Sequence, residues 1–262
     1  MTENRAKDEF AHMRGDPDFM LSLARGIRVM TAFSERKSAA SVSELAARTN
    51  LDRAVVRRCL YTLEHLGMVE QKNRKYQLRP QILKVGHAYF SSAEIVTRAQ
   101  PLLDKLGDKI HTNCALAILS EQEIVYLVRS QSKKLLGQSL GMGSRLPAYC
   151  TSLGRVLLAN LTEHDLDAYL AQIKLQAYTE FTVTDEPELR KTLSRVKEAG
   201  YAIVDQEMGL GLTGIAIPVR VGGYESLMAL SVTVNPKYVH ADEIKGRYLR
   251  DMQQTAQQLQ EL

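Results

Sequence analysis

The chain has 262 residues, 45% hydrophobic and 24% charged, with a net charge of +4, which is the profile of a globular protein long enough for two modest domains. No apolar run approaches a membrane span and the N-terminus is too polar for a secretory signal, so a cytoplasmic location without a membrane partner is expected. Cys59, Cys114 and Cys150 are far apart and odd in number, and no histidine pair has ligand spacing, so neither a disulfide framework nor a metal site is expected.

Residues 1–18 are polar and mixed in charge, end in Gly15-Asp16-Pro17-Asp18, and read as a partly disordered arm. Residues 19–33 carry Leu23, Ile27, Met30 and Phe33 at helical spacing, and 34–40 read as a polar loop. From Ser41 to Gly67, SVSELAARTNLDRAVVRRCLYTLEHLG, two short helices joined by a tight turn are predicted. Ser43 is placed as the cap of the first, Asn50 as the left-handed residue that ends it, and Asp52 as the cap of the second. Val56, Cys59, Leu60, Leu63 and Leu66 recur at the spacing of one buried stripe. Arg53, Ala54, Arg57, Arg58 and Tyr61 fall largely off it. That cationic outer face suits a DNA major groove, although a lone helix of this kind is more often a solvated one.

The residues after this helix shift the balance. Met68-Val69-Glu70, a basic turn over 71–75 and Tyr76-Gln77-Leu78 read as strand, turn and strand, with Val69, Tyr76 and Leu78 inward. A basic hairpin directly after a basic helix makes a winged helix-turn-helix, in which the helix reads bases while Lys72, Arg74 and Lys75 hold phosphates; Ser43 is counted with these DNA-facing residues. The charge divides accordingly: residues 1–85 carry +6 and residues 86–262 carry −2.

Residues 80–92 read as a linker helix that Pro80 opens, with Tyr89 and Phe90 serving a partner surface or packing on the second domain. An amphipathic helix over 95–111 contains Pro101. Apolar runs at 114–119, 123–129 and 135–140 are spaced as antiparallel strands. Helices come next at 151–161 and 162–170. Thr184 is placed as the cap of another, with Asp185, Glu186 and Glu188 at its positive end, Pro187 in its first turn and Gly200 at its stop. Strands at 201–205, 214–219 and 227–234 and a helix over 241–260 complete an α+β chain.

Two motif matches carry little weight. Gly209-Leu-Gly211-Leu-Thr-Gly214 fits GxGxxG, but a strand succeeds it where a dinucleotide site needs a helix, so the glycines read as a bend where backbone comes close to something, a ligand among the candidates. Gly137-Gln-Ser139-Leu-Gly141 fits GxSxG with Asp205 and His240 downstream, but Gly141, Gly143 and Pro147 exclude the helix of a nucleophile elbow. A hydrolase built on Ser139, Asp205 and His240, and a thiol redox sensor at Cys150, are the alternatives to a regulator.

The segments SLARGIRVMTAF, SVSELAARTNLDRAVVRRCLYTLEHLG, YQLRP, LPAYCTSLGRVLLA, VDQEMGLGLTGIAIPV and LMALSVTVNP together resemble an IclR-type transcriptional regulator over almost the whole length. GDPDFMLSLARG, RAVVRRCLYTL, VGHAYFSS and RLPAYCTSLGR are similar to the subgroup governing breakdown of protocatechuate and related aromatic acids. The resemblance implies a winged helix-turn-helix over 19–79, a linker over 80–92 and a GAF-like antiparallel-sheet effector-binding domain over 93–262. It also implies a homodimer or dimer of dimers on a pseudo-palindromic operator in double-stranded DNA, a small aromatic or dicarboxylic acid as effector, and neither cofactor nor enzymatic activity. The family often has Ser-Thr where this chain has Ala54-Val55, so an apolar contact with a thymine methyl would replace a hydroxyl contact. The implied effector pocket maps to Arg145, Leu146, Ala148, Tyr149, Asp205, Gly214, Ser231 and Thr233. Ser231 and Thr233 alternate along one strand and share a face, Arg145 suits a carboxylate clamp, and Tyr149 suits stacking on a ring.

Overall fold

The computed structural model describes residues 9–13, 15–33, 39–92, 94–130 and 140–262, with the side chains of 9, 11 and 88–92 outside the description. Contacts divide the chain into two compact units, Met1–Tyr89 and Phe90–Leu262.

In the first unit, Ser41-Val-Ser-Glu44 closes a capping box. The Glu44 amide donates to Ser41 Oγ at 3.2 Å and the Ser41 amide donates to Glu44 Oε2 at 2.8 Å, so Ser41, and not Ser43, caps helix α2 (Val42–Thr49). The register of two serines is decided by the glutamate, which lies three residues after Ser41. α2 ends as expected at Asn50, with φ 57°, and Asp52 takes the N-cap position of α3 (Arg53–His65) without a side-chain hydrogen bond. Val56, Leu60 and Leu63 are buried, whereas Leu66 lies beyond the last turn and is exposed. Helix α1 (Leu21–Thr31) buries only Val29 fully, and Leu23 and Ile27, expected inside, are exposed beside Met20. Two expected loops hold structure: residues 9–13 form a 3₁₀ turn, and Ala39–Ala40 form a short strand, β1. β1 pairs with β3 (Lys75–Leu78), which pairs with β2 (Val69–Lys72) in the order β1-β3-β2. Val69 and Tyr76 face the core, but Leu78 is exposed at the end of its strand.

A 3₁₀ turn at Pro80–Ile82 leads into α4 (Leu83–Ser92), and α5 (Glu94–Ile110) carries Pro101 inside a continuous helix. The predicted packing of Tyr89 and Phe90 lies outside the described residues. The second unit holds an antiparallel sheet of six strands, β4 (Asn113–Ser120), β5 (Glu123–Arg129), β6 (Arg145–Pro147), β7 (Ala202–Asp205), β8 (Thr213–Val219) and β9 (Met228–Val234), in the order β6-β5-β4-β9-β8-β7. β6 is an edge strand that three residues do not announce, and the strand expected at 135–140 lies outside the described residues apart from Leu140, which is not in a strand. One sheet face buries Leu116, Val128, Ile215, Ile217, Leu230 and Val232 against α5 and α9 (Ala241–Gln260). The other carries Ala115, Ala117, Ala202, Ala216 and Ala229 beneath α6 (Ser152–Ala159), α7 (Glu163–Gln172) and α8 (Glu186–Ala199).

Asp185, and not Thr184, caps α8, its carboxylate accepting the Glu188 amide at 3.1 Å. Pro187, which has no amide hydrogen to satisfy, falls within the first turn. No helix among the described residues is long and apolar enough to cross a membrane.

α6 lies close on the small-residue face. A Cβ on Gly214 would stand 2.7 Å from Ser152 Oγ, so the close approach inferred from the glycine motif is to this helix. A Cβ on Gly154 would collide with the Ala148 backbone, whereas one on Gly246 of α9 would meet nothing within 4 Å. Gly246→Ala is therefore expected to raise stability by about 1 kcal/mol through helix propensity. Gly154→Ala should lower it by about 3 kcal/mol through overpacking, although it too is a helical glycine. Equal effects in denaturant melts would refute the close contact.

Candidate functional site

In the first unit the structure gathers the residues expected to face DNA. Arg53, Ala54, Arg57, Arg58 and Tyr61 are exposed on the outer side of α3, and Ser43 is exposed on α2. Val55 differs: it is half-buried and packs on the core with Met68 and Cys59. The Tyr61 ring lies 4.1 Å from that of His65, one turn on.

The hairpin is closed by Asn73 (φ 50°) and Arg74 (φ 61°), with Lys72 directly opposite Lys75. Two consecutive left-handed residues joining antiparallel strands make a type I′ turn, which favours Asn first and Gly second. Arg74 therefore occupies a strained position from which its side chain projects at the tip. Lys72 Nζ is 2.8 Å from Glu70, whose carboxyl is held below its ordinary range by that ammonium and by the Gln77 amide. Among the described residues Arg53, Arg57, Arg58, Arg74 and Lys75 make no ion pair.

In the second unit the eight effector-side residues divide. In β9, Ser231 and Thr233 alternate with Leu230, Val232 and Val234 and so share the small-residue face; Gly214 lies opposite Thr233 on the same side. Leu146, Ala148 and Tyr149 belong to the cluster on this face. Arg145 and Asp205 do not join them. Arg145 pairs with Val125 in register, opposite in sense to Leu146 with Ile124. It donates through Nε to Glu123 Oε2 at 2.7 Å and through Nη2 to the Ser120 carbonyl at 3.2 Å. Asp205 lies opposite Thr213, one residue out of phase with Gly214, and accepts the Thr213 hydroxyl hydrogen bond. Tyr149 is buried, and its phenol donates to the Gln176 carbonyl at 2.7 Å and accepts the Gln176 amide at 2.9 Å. Its hydroxyl is thus committed to backbone.

A buried ion pair went unforeseen. Arg155 and Glu207, whose side chains are 4% and 8% exposed, meet as a fork, Nη1 to Oε1 at 2.7 Å and Nη2 to Oε2 at 2.7 Å. Arg155 Nε also donates to the Tyr149 carbonyl at 3.0 Å, and the Val183 amide donates to Glu207 Oε2 at 3.0 Å. The signal was an arginine inside the apolar run Leu153-Gly-Arg155-Val-Leu-Leu, since a charge there needs a partner.

The alternatives find little support. The Cys150 thiol is pushed up to about 12 by burial and by Glu207, so it carries almost no reactive thiolate at neutral pH. Ser139 lies outside the described residues. His240 is exposed at the start of α9 and has no hydrogen bond to Asp205 among the described residues.

The model of the IclR helix-turn-helix domain matches residues 22–73, and that of the bacterial transcriptional regulator IclR C-terminal domain matches residues 87–261. The Pca regulon regulatory protein of Pseudomonas putida is 42% identical over 236 residues, 90% of this chain and 81% of that protein. A regulator structure from Rhodococcus sp. RHA1 superposes with a TM-score of 0.76 at 34% identity, covering 93% of this chain and 98% of the other. A double mutant of the inducer-binding domain of the PobR transcription factor from Acinetobacter, in complex with 3-hydroxybenzoic acid, matches with a TM-score of 0.58 at 28% identity, covering 63% and 97%.

The buried fork makes a sharp prediction. Glu207→Leu alone should destabilise the protein by about 3–5 kcal/mol by stranding the guanidinium, while Arg155→Met combined with Glu207→Leu should recover most of that loss. Additive losses in the double variant, measured by denaturant melts, would show that the pair does not act as a unit.

Proposed function

This chain belongs to the IclR family of bacterial transcriptional regulators, and from that premise we propose that it controls genes for the breakdown of small aromatic acids, with an acid of that pathway class as its effector. The observation that carries the DNA-binding half is the outer face of α3, where three exposed arginines make no ion pair among the described residues beside a basic hairpin. In this reading Arg53, Arg57, Arg58 and Tyr61 meet base edges and Ala54 meets a thymine methyl. Ser43, Lys72, Arg74 and Lys75 meet the phosphate backbone. Val55 serves packing instead, since it is half-buried. The operator lies in the cytoplasm, where the protein acts.

The working divisions are a DNA-binding domain over 19–79, a connector over 80–92 and an effector domain over 93–262. A second copy of the chain covers the exposed stripe of Leu23 and Ile27 on α1 and Met20 at its N-cap, whose spacing keeps all three on one side. Two copies present two α3 helices to half-sites about one helical turn apart, so the operator is pseudo-palindromic. The effector lies against the small-residue sheet face, the side shared by Leu146, Ala148, Tyr149, Ser231 and Thr233; Gly214 is set aside because Ser152 of α6 covers it. Arg145 and Asp205 are set aside because their registers turn them to the opposite face. The relatives that support the effector class are the Pca regulon regulatory protein and the inducer-binding domain that holds 3-hydroxybenzoic acid.

The test is operator binding with and without protocatechuate, 4-hydroxybenzoate, β-ketoadipate or muconate. Arg57→Ala and Arg58→Ala should each weaken binding by about 1–3 kcal/mol where a base is read, and unchanged affinity would remove that arginine from the interface. The hairpin offers an independent check, because stability and binding should move in opposite directions. Arg74→Gly should stabilise the fold by about 1 kcal/mol by relieving a left-handed position. It should also lower the salt slope of operator binding by about 1 through loss of a phosphate contact. An unchanged slope would place Arg74 off the DNA.

A further inference from the structure

Arg129, the last residue of β5, stands on the effector-side face. The β4–β5 register sets Arg129 opposite Ala115 and Tyr126 opposite Ala117, with the bulge between them absorbing Leu127. Residues directly opposite in an antiparallel pair share a face. Ala115 also lies opposite Ser231, and Ser231 opposite Ala216, so one row crosses four strands as Arg129, Ala115, Ser231, Ala216.

The surroundings of Arg129 are unusual for a cation. The residue is half-buried, its guanidinium carbon lies 5.6 Å from the centre of the Tyr126 ring, and Nη1 donates to the Leu140 carbonyl. It has no carboxylate partner among the described residues. Other arginines of this unit that leave water are neutralised in place: Arg155 by Glu207, and the partly exposed Arg190 by Asp167 and Glu186. A cation that loses hydration without an anion is unfavourable, and a planar guanidinium restores the balance best by a forked pair with a carboxylate. The floor beside it is low, because Ala115 and Ala117 present only methyl groups. Ser231, 2% exposed, offers a hydroxyl two strands away, and strands are spaced about 4.8 Å apart, so the two backbones are about 10 Å apart. Two ends of that separation suit a ring with a carboxylate at one side and a hydroxyl across from it.

We propose that Arg129 binds the carboxylate of the effector and that Ser231 meets the polar group at its far end, with the ring over Ala115. This assignment rests on the reading of this sheet face as the effector site. It gives the acid a cationic partner that neither Arg145 nor any residue named from the family pattern supplies on this side.

The experiment is titration calorimetry of the full-length protein with 4-hydroxybenzoate, protocatechuate and β-ketoadipate, with 4-hydroxybenzamide as the uncharged counterpart. R129Q should weaken every acid that the wild type binds by at least 30-fold, leave the amide within threefold, and keep the ligand-free melting temperature and operator affinity of the wild type. Acid affinity within threefold of wild type in R129Q overturns the proposal. If R129Q melts early, R129K keeps the charge but loses the fork: a drop of about tenfold for the acids alone supports the assignment, and none overturns it. A wild type that binds none of the three acids sinks the effector class itself, and Arg129 with it, a failure visible before any variant is made.

Discussion

Helix α6 comes closest to the sheet of the second unit at Gly214, where an added side chain would meet Ser152. Gly214 sits beneath Ser152, Gly154 passes the Ala148 backbone, and Ala202, Ala216 and Ala229 pave the strands around them. On the opposite face the same strands carry Ile215, Ile217, Leu230 and Val232, which pack against α5 and α9. The difference between the two faces comes from alternation within each strand, large residues one way and small the other. Because a packed interior transmits a single methyl group's displacement, the small face fixes where the 148–152 turn lies.

That proximity dictates the polar chemistry. Arg155 leaves α6 within the buried layer and cannot reach water, so its charge has to be met where it is. Glu207 supplies both carboxylate oxygens, and the same carboxylate accepts the Val183 amide while Arg155 reaches back to the Tyr149 carbonyl. Tyr149 then binds both backbone groups of Gln176. Three stretches distant in sequence, around 149–155, 176–183 and 206–207, are thereby held by groups that are satisfied only together. Such a network is favourable when complete and costly when one member is missing, which ties the loops at this end of the sheet to the position of one helix.

Much of this was legible in the chain, and what was not has identifiable causes. The periods of α3, β5 and α9 stand out because each exposes one side and buries the other, so helix and strand spacing appear directly in the apolar pattern. The capping residues slipped by one or two positions because Ser41 and Ser43, like Thr184 and Asp185, are both competent caps, and only the partner amide decides. Leu23 and Ile27 obey helical spacing yet face outward, since a period reports that a stripe exists and not what covers it. Ser231 and Thr233 were placed together because strand alternation is local. Arg145 and Asp205 were not separable from them, because which face a residue takes depends on registers between strands far apart in sequence. The Arg155–Glu207 pair spans 52 residues, beyond any local pattern.

Charge is handled differently in the two units, and solvation explains why. Cations on α3 and at the hairpin tip stand in water, where an unpaired guanidinium costs nothing and stays available. In the proposed complex each such residue that meets a phosphate displaces condensed counterions, so affinity falls with salt at a slope of about −0.9 per phosphate neutralised. Spending carboxylates to pair them would remove that gain and add desolvation when the duplex arrived; among the described residues of this surface Lys72 alone is so paired, with Glu70 on the same strand. In the second unit the buried Arg155 has no such freedom and Glu207 answers it; residues 86–262 carry −2 against +6 for the first 85 residues. A mildly acidic effector unit is also weakly repelled by the polyanion. The electrostatic attraction is thus concentrated on the basic first unit, which carries the surface proposed to read sequence.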